Sequence, residues 1–267
     1  MQERALKILV TNDDGYSSKG INTLERLLVQ YGDVLSVAPK DAQSAKSTAL
    51  TMDVPLRLFK VESKTFENGH TLDKYHLNGT PVDCVKAAIV KFFEDPNLLP
   101  DVVVSGINHG SNASAAALYS GTLGATKEGA LYGIPSIGFS LDNIYPNADF
   151  SPVERFFHRI FENFLKFPPA DGTFLNVNFP AIPPEEIKGI KFAAQGMGRW
   201  TKEFNLYTDP HGYECLWMAG RFINKDNRRD NADHLLMEQG YVAITVQKID
   251  STDYREIERM QHCWQLG

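Results

Sequence analysis

The stretch KILVTNDDGYSSKG, residues 7–20, joins a short apolar run to a cluster of polar residues. The run at residues 8–10 has no polar interruption, which predicts a strand buried on both faces, as in a parallel sheet. Asn12, Asp13 and Asp14 follow almost at once. A buried strand that leads into two neighbouring carboxylates raises the question of what offsets their mutual repulsion.

The residues after this loop complete a strand–helix–strand unit. Apolar residues at helical spacing predict a helix over residues 21–31, and Gly32 is a typical C-terminal stop. Residues 33–39 predict a second strand, so the chain opens with a βαβ unit. In parallel sheets, ligands bind beyond the carboxyl ends of the strands, near a topological switch point. The two aspartates follow the first strand at such a position.

The rest of the chain continues this alternation. Thr80 as N-cap, Pro81 and Asp83 predict a strong helix start, and residues 49–77 predict short strands or a hairpin. Further strands are predicted at residues 101–105, 134–140, 173–179 and 241–246, and further helices at 123–132, 152–167 and 254–264. The predicted fold class is α/β, with a Rossmann-like, mainly parallel sheet flanked by helices.

We expect a single α/β domain over residues 1–267, with no linker or repeat. Its Rossmann-like core covers residues 1–185. Glycine, aspartate and aromatic residues mix in residues 186–235, which predicts a β-hairpin arm. Residues 236–267 supply the last strand and a C-terminal helix.

The composition excludes several classes of protein. The chain has 267 residues, 43% of them hydrophobic, which is enough for a sizeable core, and its net charge of −6 argues against binding a nucleic acid polymer. The three cysteines are far apart and form no CxxC pair, so a reducing compartment fits best. No apolar stretch approaches the roughly 20 residues that span a bilayer. The expectation is a cytoplasmic protein with no membrane contact.

Polar residues also follow the other predicted strands. Ser44 and Lys46 come after the second strand, and Asn108, His109 and Asn112 come after the third. Because the carboxyl ends of parallel strands meet at one edge, these side chains should lie near the two aspartates.

A divalent cation would offset the repulsion between Asp13 and Asp14. Carboxylate, hydroxyl and amide oxygens are hard ligands that suit Mg²⁺, Mn²⁺ or Ca²⁺ rather than zinc or copper. Ser44 and Asn108 would complete the shell without adding charge, which leaves a site able to accept an anionic oxygen.

The segment Ser120, Gly121 and Thr122 precedes a predicted helix, whose free amides and dipole favour an anion. A cation beside a helix N-terminus is an arrangement for handling phosphate. A water molecule attacking phosphorus is the reaction that this chemistry predicts.

Each feature also has an ordinary structural interpretation. The Asp pair could be a solvated turn, Ser44 a surface hydroxyl, and Asn108 the holder of a turn before Gly110. The SGT segment could be a plain N-cap, and His109 and Lys46 are expected to be solvated loop residues. The features gain weight only from their shared location.

Three known motifs are excluded. The GxxxxG spacing of Gly15 and Gly20 is followed by Ile21 where a Walker A loop needs lysine. No GxGxxG follows the first strand, and no GxSxG elbow occurs.

The sequence resembles the survival protein SurE family of metal-dependent 5′/3′-nucleotidases over nearly its whole length. The matching motifs are ILVTNDDG (8–15), APKDAQS (38–44), GTPVDCV (79–85), VVSGINHGSN (103–112), YSGT (119–122), IPSIGFS (134–140), LNVNFP (175–180) and GYVAIT (240–245). The combination of NDDG, SGxNxGxN and SGT is highly specific.

The resemblance implies one divalent cation per subunit, Mg²⁺ or Mn²⁺, in a Rossmann-like core. The implied metal ligands are Asp13, Asp14, Ser44 and Asn108. The implied catalytic residues are Asp13, Asp14 and Asn108. The implied phosphate-binding residues are Asn12, Asn112, Ser120, Gly121 and Thr122.

The family resemblance also implies the reaction and the assembly. Family members hydrolyse nucleoside 5′- or 3′-monophosphates, and some trim short polyphosphate. They form homodimers, some of which pair into tetramers, with a C-terminal arm exchanged between subunits; the predicted arm at residues 186–235 fits this role.

Two departures from the family pattern concern substrate preference rather than the reaction. The family often has Gly-Pro-Asn where this chain has Gly110, Ser111 and Asn112, and acidic residues where this chain has Ala115 and Ala116.

Two alternatives from other classes remain. Receiver domains also carry paired acids after the first strand, but they need an aspartate at the end of strand three, where this chain has Ser105. A non-catalytic nucleotide-binding module is the second alternative.

Overall fold

A computed structural model describes residues 5–93, 95, 98–223 and 229–264. Nine strands form one sheet: β1 Leu6–Thr11, β2 Gly32–Pro39, β3 Leu58–Thr65, β4 Thr71–Leu77, β5 Val102–His109, β6 Ser136–Leu141, β7 Thr173–Phe179, β8 Gly189–Ala193 and β13 Tyr241–Lys248. Their order across the sheet is β3-β4-β2-β1-β5-β6-β7-β13-β8.

Helices flank this sheet, and short hairpins follow it in the chain. The helices are α1 Lys19–Leu28, α2 Pro81–Phe92, α3 Ala116–Tyr119, α4 Gly121–Leu131, α5 Ser151–Lys166, α6 Asp233–Glu238 and α7 Tyr254–Cys263, with a 3₁₀ turn at Pro184–Glu186. The four remaining strands are β9 Arg199–Thr201, β10 Phe204–Thr208, β11 Glu214–Met218 and β12 Arg221–Ile223. None of the helices in the described ranges is long and apolar enough to cross a bilayer.

The sheet is mainly parallel, which confirms the predicted α/β class. Strand β1 pairs in parallel with β2 on one side and β5 on the other. Only the β3–β4 and β7–β13 pairs within the described sheet are antiparallel. The chain leaves β1 toward β2 and returns to β5 on the opposite side, so the switch point lies at the end of β1. The loop with the two aspartates begins there.

Local sequence explains where the flanking helices begin. Thr80 and Asp83 form a capping box at the start of α2, with Pro81 in the first turn, as predicted. Ser18 caps α1 by accepting from the Ile21 amide. Phe139, Phe157 and several aliphatic side chains fill the core on the α1 and α5 face.

Strand β5 is longer than the sequence predicts. It continues through His109, and its pairing with β6 shifts register between Ser105 and Asn108 before it resumes at Asn108–Ser140. The Gly106–Ile107 peptide bond within this segment is cis. Asn108 therefore lies on a strand rather than on a loop.

One buried ion pair ties α1 to the sheet. The Lys74 ammonium of β4 lies 2.8 Å from a Glu25 carboxylate oxygen and 2.6 Å from the Asn22 amide oxygen. The Ser36 hydroxyl donates to the other Glu25 oxygen at 2.5 Å. Both charged side chains are 4% exposed, so neither charge is solvated if its partner is removed.

The C-terminal region departs in part from the predicted arm. Strand β8 pairs in parallel with β13 and so belongs to the main sheet. The arm proper consists of two antiparallel pairs, β10–β11 and β9–β12. Every residue of β10 and β11 is exposed, and α7 contains no buried residue.

Candidate metal centre

Asp13 is the most enclosed carboxylate of the candidate site. It follows β1, is 4% exposed, and accepts a hydrogen bond from the Thr122 hydroxyl at 2.5 Å. A side chain at Gly121 would lie 2.8 Å from the Asp13 Cβ, so glycine allows α4 to approach this closely. The N-terminal turn of α4 is therefore directed at Asp13, where its dipole favours a negative charge.

Burial and a neighbouring charge perturb the titration of Asp13. Burial, reinforced by the negative charge of Asp14, raises the pKa of Asp13 to about 6. Hydrogen bonds from the Thr122 hydroxyl and backbone amide lower this pKa and so oppose the rise. The ionised form is thus costly in the protein alone, and a cation bound next to it would remove that cost.

Asp14 is held by His109 of β5. One Asp14 carboxylate oxygen accepts from the His109 backbone amide at 3.0 Å and lies 3.0 Å from its ring Nδ1. The His109 ring packs edge-on against Phe150, with its side chain 9% exposed. The expectation that His109 is a solvated loop residue is therefore wrong, because β5 extends through this position. Lys46, by contrast, is exposed.

Asn108 lies at the same edge with its amide group oriented. Its Nδ2 donates to the Gly110 carbonyl at 2.8 Å, and the residue is 9% exposed. The amide oxygen is therefore the end left to act as a ligand, because the nitrogen is already engaged.

Backbone hydrogen bonds join the loop that contains Ser44 to the segment after β1 and to the end of α3. The Gln43 amide donates to the Asp13 carbonyl at 2.7 Å, and the Ser47 amide donates to the Tyr119 carbonyl at 3.0 Å. Ser44 itself is exposed, and Ala45 and Ser47 after it have positive φ angles of 60° and 50°. Such angles are uncommon for residues other than glycine, and they cluster at functional sites.

The predicted phosphate-binding residues lie in several environments. The Asn12 amide donates to the Gly15 carbonyl and the Ser18 hydroxyl, while its Oδ1 is buried with no partner among the described atoms. Asn112 is buried and donates to the Ser140 hydroxyl at 2.8 Å. The Ser120 hydroxyl caps α4 by accepting from the Leu123 amide. With the Thr122 hydroxyl bonded to Asp13, two SGT side chains are engaged within the protein.

These residues suit a hard divalent cation. Asp13 and Asp14 supply two charges, and Asn108 and Ser44 offer neutral oxygen atoms on the adjoining segments. No cluster of three His, Cys, Asp or Glu side chains suited to a metal occurs in the described parts of the chain. Two carboxylates with neutral oxygens match the preference of hard divalent cations rather than that of zinc.

A cavity of about 770 Å³ adjoins the candidate centre. Its lining includes Asn108, His109 and Gly110, and also Trp200, Phe222 and His234. The volume lies in the range of small-molecule sites.

Fold and site together define a Rossmann-like α/β protein with a candidate hard-cation centre at the switch point of its sheet. The family model for survival protein SurE matches residues 8–202. The chain is 41% identical to the 5′-nucleotidase SurE of Christiangramia forsetii over all of both chains. It is 42% identical to that of Cytophaga hutchinsonii over 97% of each chain.

A solved structure agrees with these relatives. The crystal structure of the SurE protein from Aquifex aeolicus has a TM-score of 0.78 and 33% identity, and the match covers 96% of this chain and 98% of that one. The chain belongs to the survival protein SurE family.

Two contacts of the site have no clear signal in the sequence. The contact of His109 with Asp14 gave no local signal beyond its position next to Asn108. The role of Thr122 as a partner of Asp13 was hidden, because the residues that a helix N-terminus faces depend on tertiary packing.

Proposed function

We propose that this protein is a metal-dependent phosphomonoesterase that hydrolyses nucleoside 5′-monophosphates, and 3′-monophosphates as well, to nucleoside and phosphate. The observation that carries the proposal is the position of Asp13 and Asp14 at the switch point, with the N-terminal turn of α4 on Asp13. Relatives of 41% and 42% identity over nearly all of both chains carry the name 5′-nucleotidase SurE, which supports the choice of substrate.

We assign one divalent cation per subunit, Mg²⁺ or Mn²⁺, to Asp13, Asp14, Ser44 and Asn108. When bound, such a cation supplies Lewis acidity toward the phosphoryl oxygens and lowers the pKa of water. The Thr122 hydroxyl and amide would orient Asp13, and the His109 amide and ring would orient Asp14.

The protein groups divide the remaining work. Asp14 is at the edge of the site and would accept the proton of the attacking water, while His109 fixes the direction of its carboxylate. Asn108 would orient the phosphoryl group toward the attacking water. The bond between phosphorus and the ester oxygen would break, and the proton taken up by Asp14 would return through solvent to the departing oxygen, so that the nucleoside leaves as its hydroxyl form.

The phosphate would bind between this centre and the first turn of α4. The Gly121 amide lies in the first turn of α4, where amides lack intrahelical partners. Asn12 and Asn112 would border the phosphate, and Ser120 would shape the turn as its cap.

Phosphate release from a panel of substrates tests the proposal. The panel is AMP, GMP, 3′-AMP and tripolyphosphate, each with Mg²⁺, Mn²⁺ or EDTA. We expect release from the monophosphates with either metal and none with EDTA. Release that ignores EDTA would contradict the cation assignment, and no release with any metal would favour a non-catalytic nucleotide-binding module.

We propose a homodimer or a pair of dimers as the assembly, formed through the arm. Leu206 and Leu216 face each other across β10 and β11 and are 72% and 65% exposed. Exposed apolar patches of this kind mark interaction sites. A cytoplasmic location is the accompanying proposal, because all three cysteines are free.

A further inference from the structure

The cavity beside the metal centre is lined by groups of two different chemistries. Its lining includes the candidate ligand Asn108 together with His109. It also includes Trp200 of β9 and Phe222 of β12, whose ring centroids are 5.4 Å apart at an interplanar angle of 73°. A single cavity thus joins a phosphate-handling site to a pair of aromatic rings.

Neighbouring groups hold the Phe222 ring in place. The Phe222 ring packs edge-on against the His234 ring, with centroids 5.7 Å apart. A side chain at Gly198 would lie 2.3 Å from the Phe222 ring, so the glycine backbone makes room for it. Phe222 is therefore enclosed from two sides.

His234 is itself fixed by buried partners. Its Nδ1 lies 2.6 Å from the Ser114 hydroxyl and 3.4 Å from an Asp233 oxygen. Asp233 accepts from the backbone amides of Ser114, Gly196 and His234. Ser114 and Asp233 approach the same ring nitrogen and are both fully buried, so this trio anchors the ring and is not a nucleophile with its base.

The charges that line the cavity favour one orientation of a nucleotide. Among the described residues that line it there is no lysine or arginine; Asp142 follows β6 beside His109 and Gly110, and Glu238 belongs to α6, the helix that carries His234. A cation near Asn108 would offset the charge of Asp142 and attract a phosphate group, whereas no cationic side chain among the described lining residues offsets Glu238. The uncharged part of the substrate is left for the aromatic part of the cavity.

We propose that Trp200 and Phe222 form the nucleobase subsite of this enzyme, with His234 as a positioning residue that holds Phe222. The inference rests on the proposed function, and it names the part of the substrate that the arm recognises. Stacking on aromatic side chains tolerates all bases, so this subsite favours nucleotides over other phosphomonoesters with little choice of base.

The test compares AMP with ribose 5-phosphate, which has the same phosphoryl group and sugar but no base. For Trp200→Ala with added Mn²⁺, we expect kcat/KM for AMP to fall about 10- to 100-fold, mainly through KM, from the lost stacking. The kcat/KM for ribose 5-phosphate should stay within about twofold. Phe167→Ala removes an exposed aromatic residue at the end of α5 and should change neither value.

Phe222→Leu and His234→Phe protect the test against a folding defect. Phe222→Leu should lower kcat/KM for AMP but not for ribose 5-phosphate. His234→Phe should lower kcat/KM for AMP by less, because it retains a ring against Phe222. Equal losses for AMP and ribose 5-phosphate, or no loss with AMP, would overturn the subsite. If wild-type protein hydrolyses neither substrate, the proposed function fails; if it hydrolyses both while the variants show no selectivity, only the subsite fails.

Discussion

The edge around Asp13 and the arm of β10 and β11 are opposites in packing. At the edge, polar side chains are buried and most have named partners within the chain. In the arm, apolar side chains such as Leu206 and Trp217 are 72% exposed. Polar groups inside and apolar groups outside both depart from the usual distribution, and each departure indicates a ligand. The first departure is the one on which the proposed cation site depends, and the second is the one on which the proposed assembly through the arm depends.

The largest expected effect comes from removing the charge at the edge. Asp13→Asn should lower kcat/KM for AMP by about a thousandfold or more, because the cation loses an anionic ligand that no neighbour replaces. Circular dichroism should show an intact fold. Asp41→Asn, in the exposed loop before Ser44, is the matched control and should retain activity. Near-normal turnover of Asp13→Asn would remove Asp13 from the mechanism.

The second effect concerns the contribution of the buried Lys74–Glu25 ion pair to stability. Like the edge, this pair places charged groups in the interior, but no ligand is proposed for it. Lys74→Met leaves the Glu25 carboxylate buried without its cation and should cost about 3–5 kcal/mol of unfolding free energy. Urea denaturation measures this loss. Lys60→Met breaks the exposed pair with Asp73 at 2.9 Å and should cost under about 1 kcal/mol. Equal losses would show that burial does not distinguish the two pairs.

A third experiment uses the same Asp13→Asn variant for stability in EDTA. The folded pKa of Asp13, about 6, lies above the ordinary aspartate value of 3.8, so the ionised carboxylate opposes folding as pH rises through this window. Asparagine carries no charge to bury, so the cation-free variant should be about 1–3 kcal/mol more stable than cation-free wild type at pH 8. The gain should fall to roughly half by pH 5 and fade below about pH 4. Thermal unfolding of both proteins in EDTA over a range of pH measures this gain in stability. A gain that does not depend on pH would contradict burial of the Asp13 charge as its cause.

The smallest expected effect on the single chain lies in the arm. Leu216→Asp should change the unfolding free energy of a monomer by within about 0.5 kcal/mol, because the side chain has little to lose in its own chain. The same change should lower the molar mass found by light scattering, since a charge would enter the proposed interface. An unchanged molar mass would show that the arm does not form the interface between subunits.

The same contrast explains how much of the fold was predictable. The strands of the core are recognisable because burial on both faces leaves continuous apolar runs, as at residues 8–10. Strand β8, which is short and only partly buried, has no such run and falls within the predicted arm. The end of β5 escapes prediction as well, because Gly106 interrupts the apolar pattern while backbone pairing with β6 continues beyond it.

For the candidate site, the sequence predicts which loops meet, but it does not predict which side chains contact each other. Chain order and parallel pairing bring Asp13, Ser44 and Asn108 to one edge, and each can be read from the sequence. The partners of each side chain could not be read in this way. That Thr122 bonds to Asp13, and His109 to Asp14, depends on the close approach of elements about 100 residues apart in the chain.

The three loops at the edge form a closed circuit of contacts. The Asp13 carbonyl accepts from Gln43, the Ser47 amide donates to Tyr119, and Thr122, three residues on, returns to Asp13. The entropic cost of bringing these segments together is therefore part of the folding free energy and is not added to the free energy of ion binding. Such a ready-made receptor would discriminate among ions by radius and preferred coordination number, and ion capture would require little reorganisation of the chain.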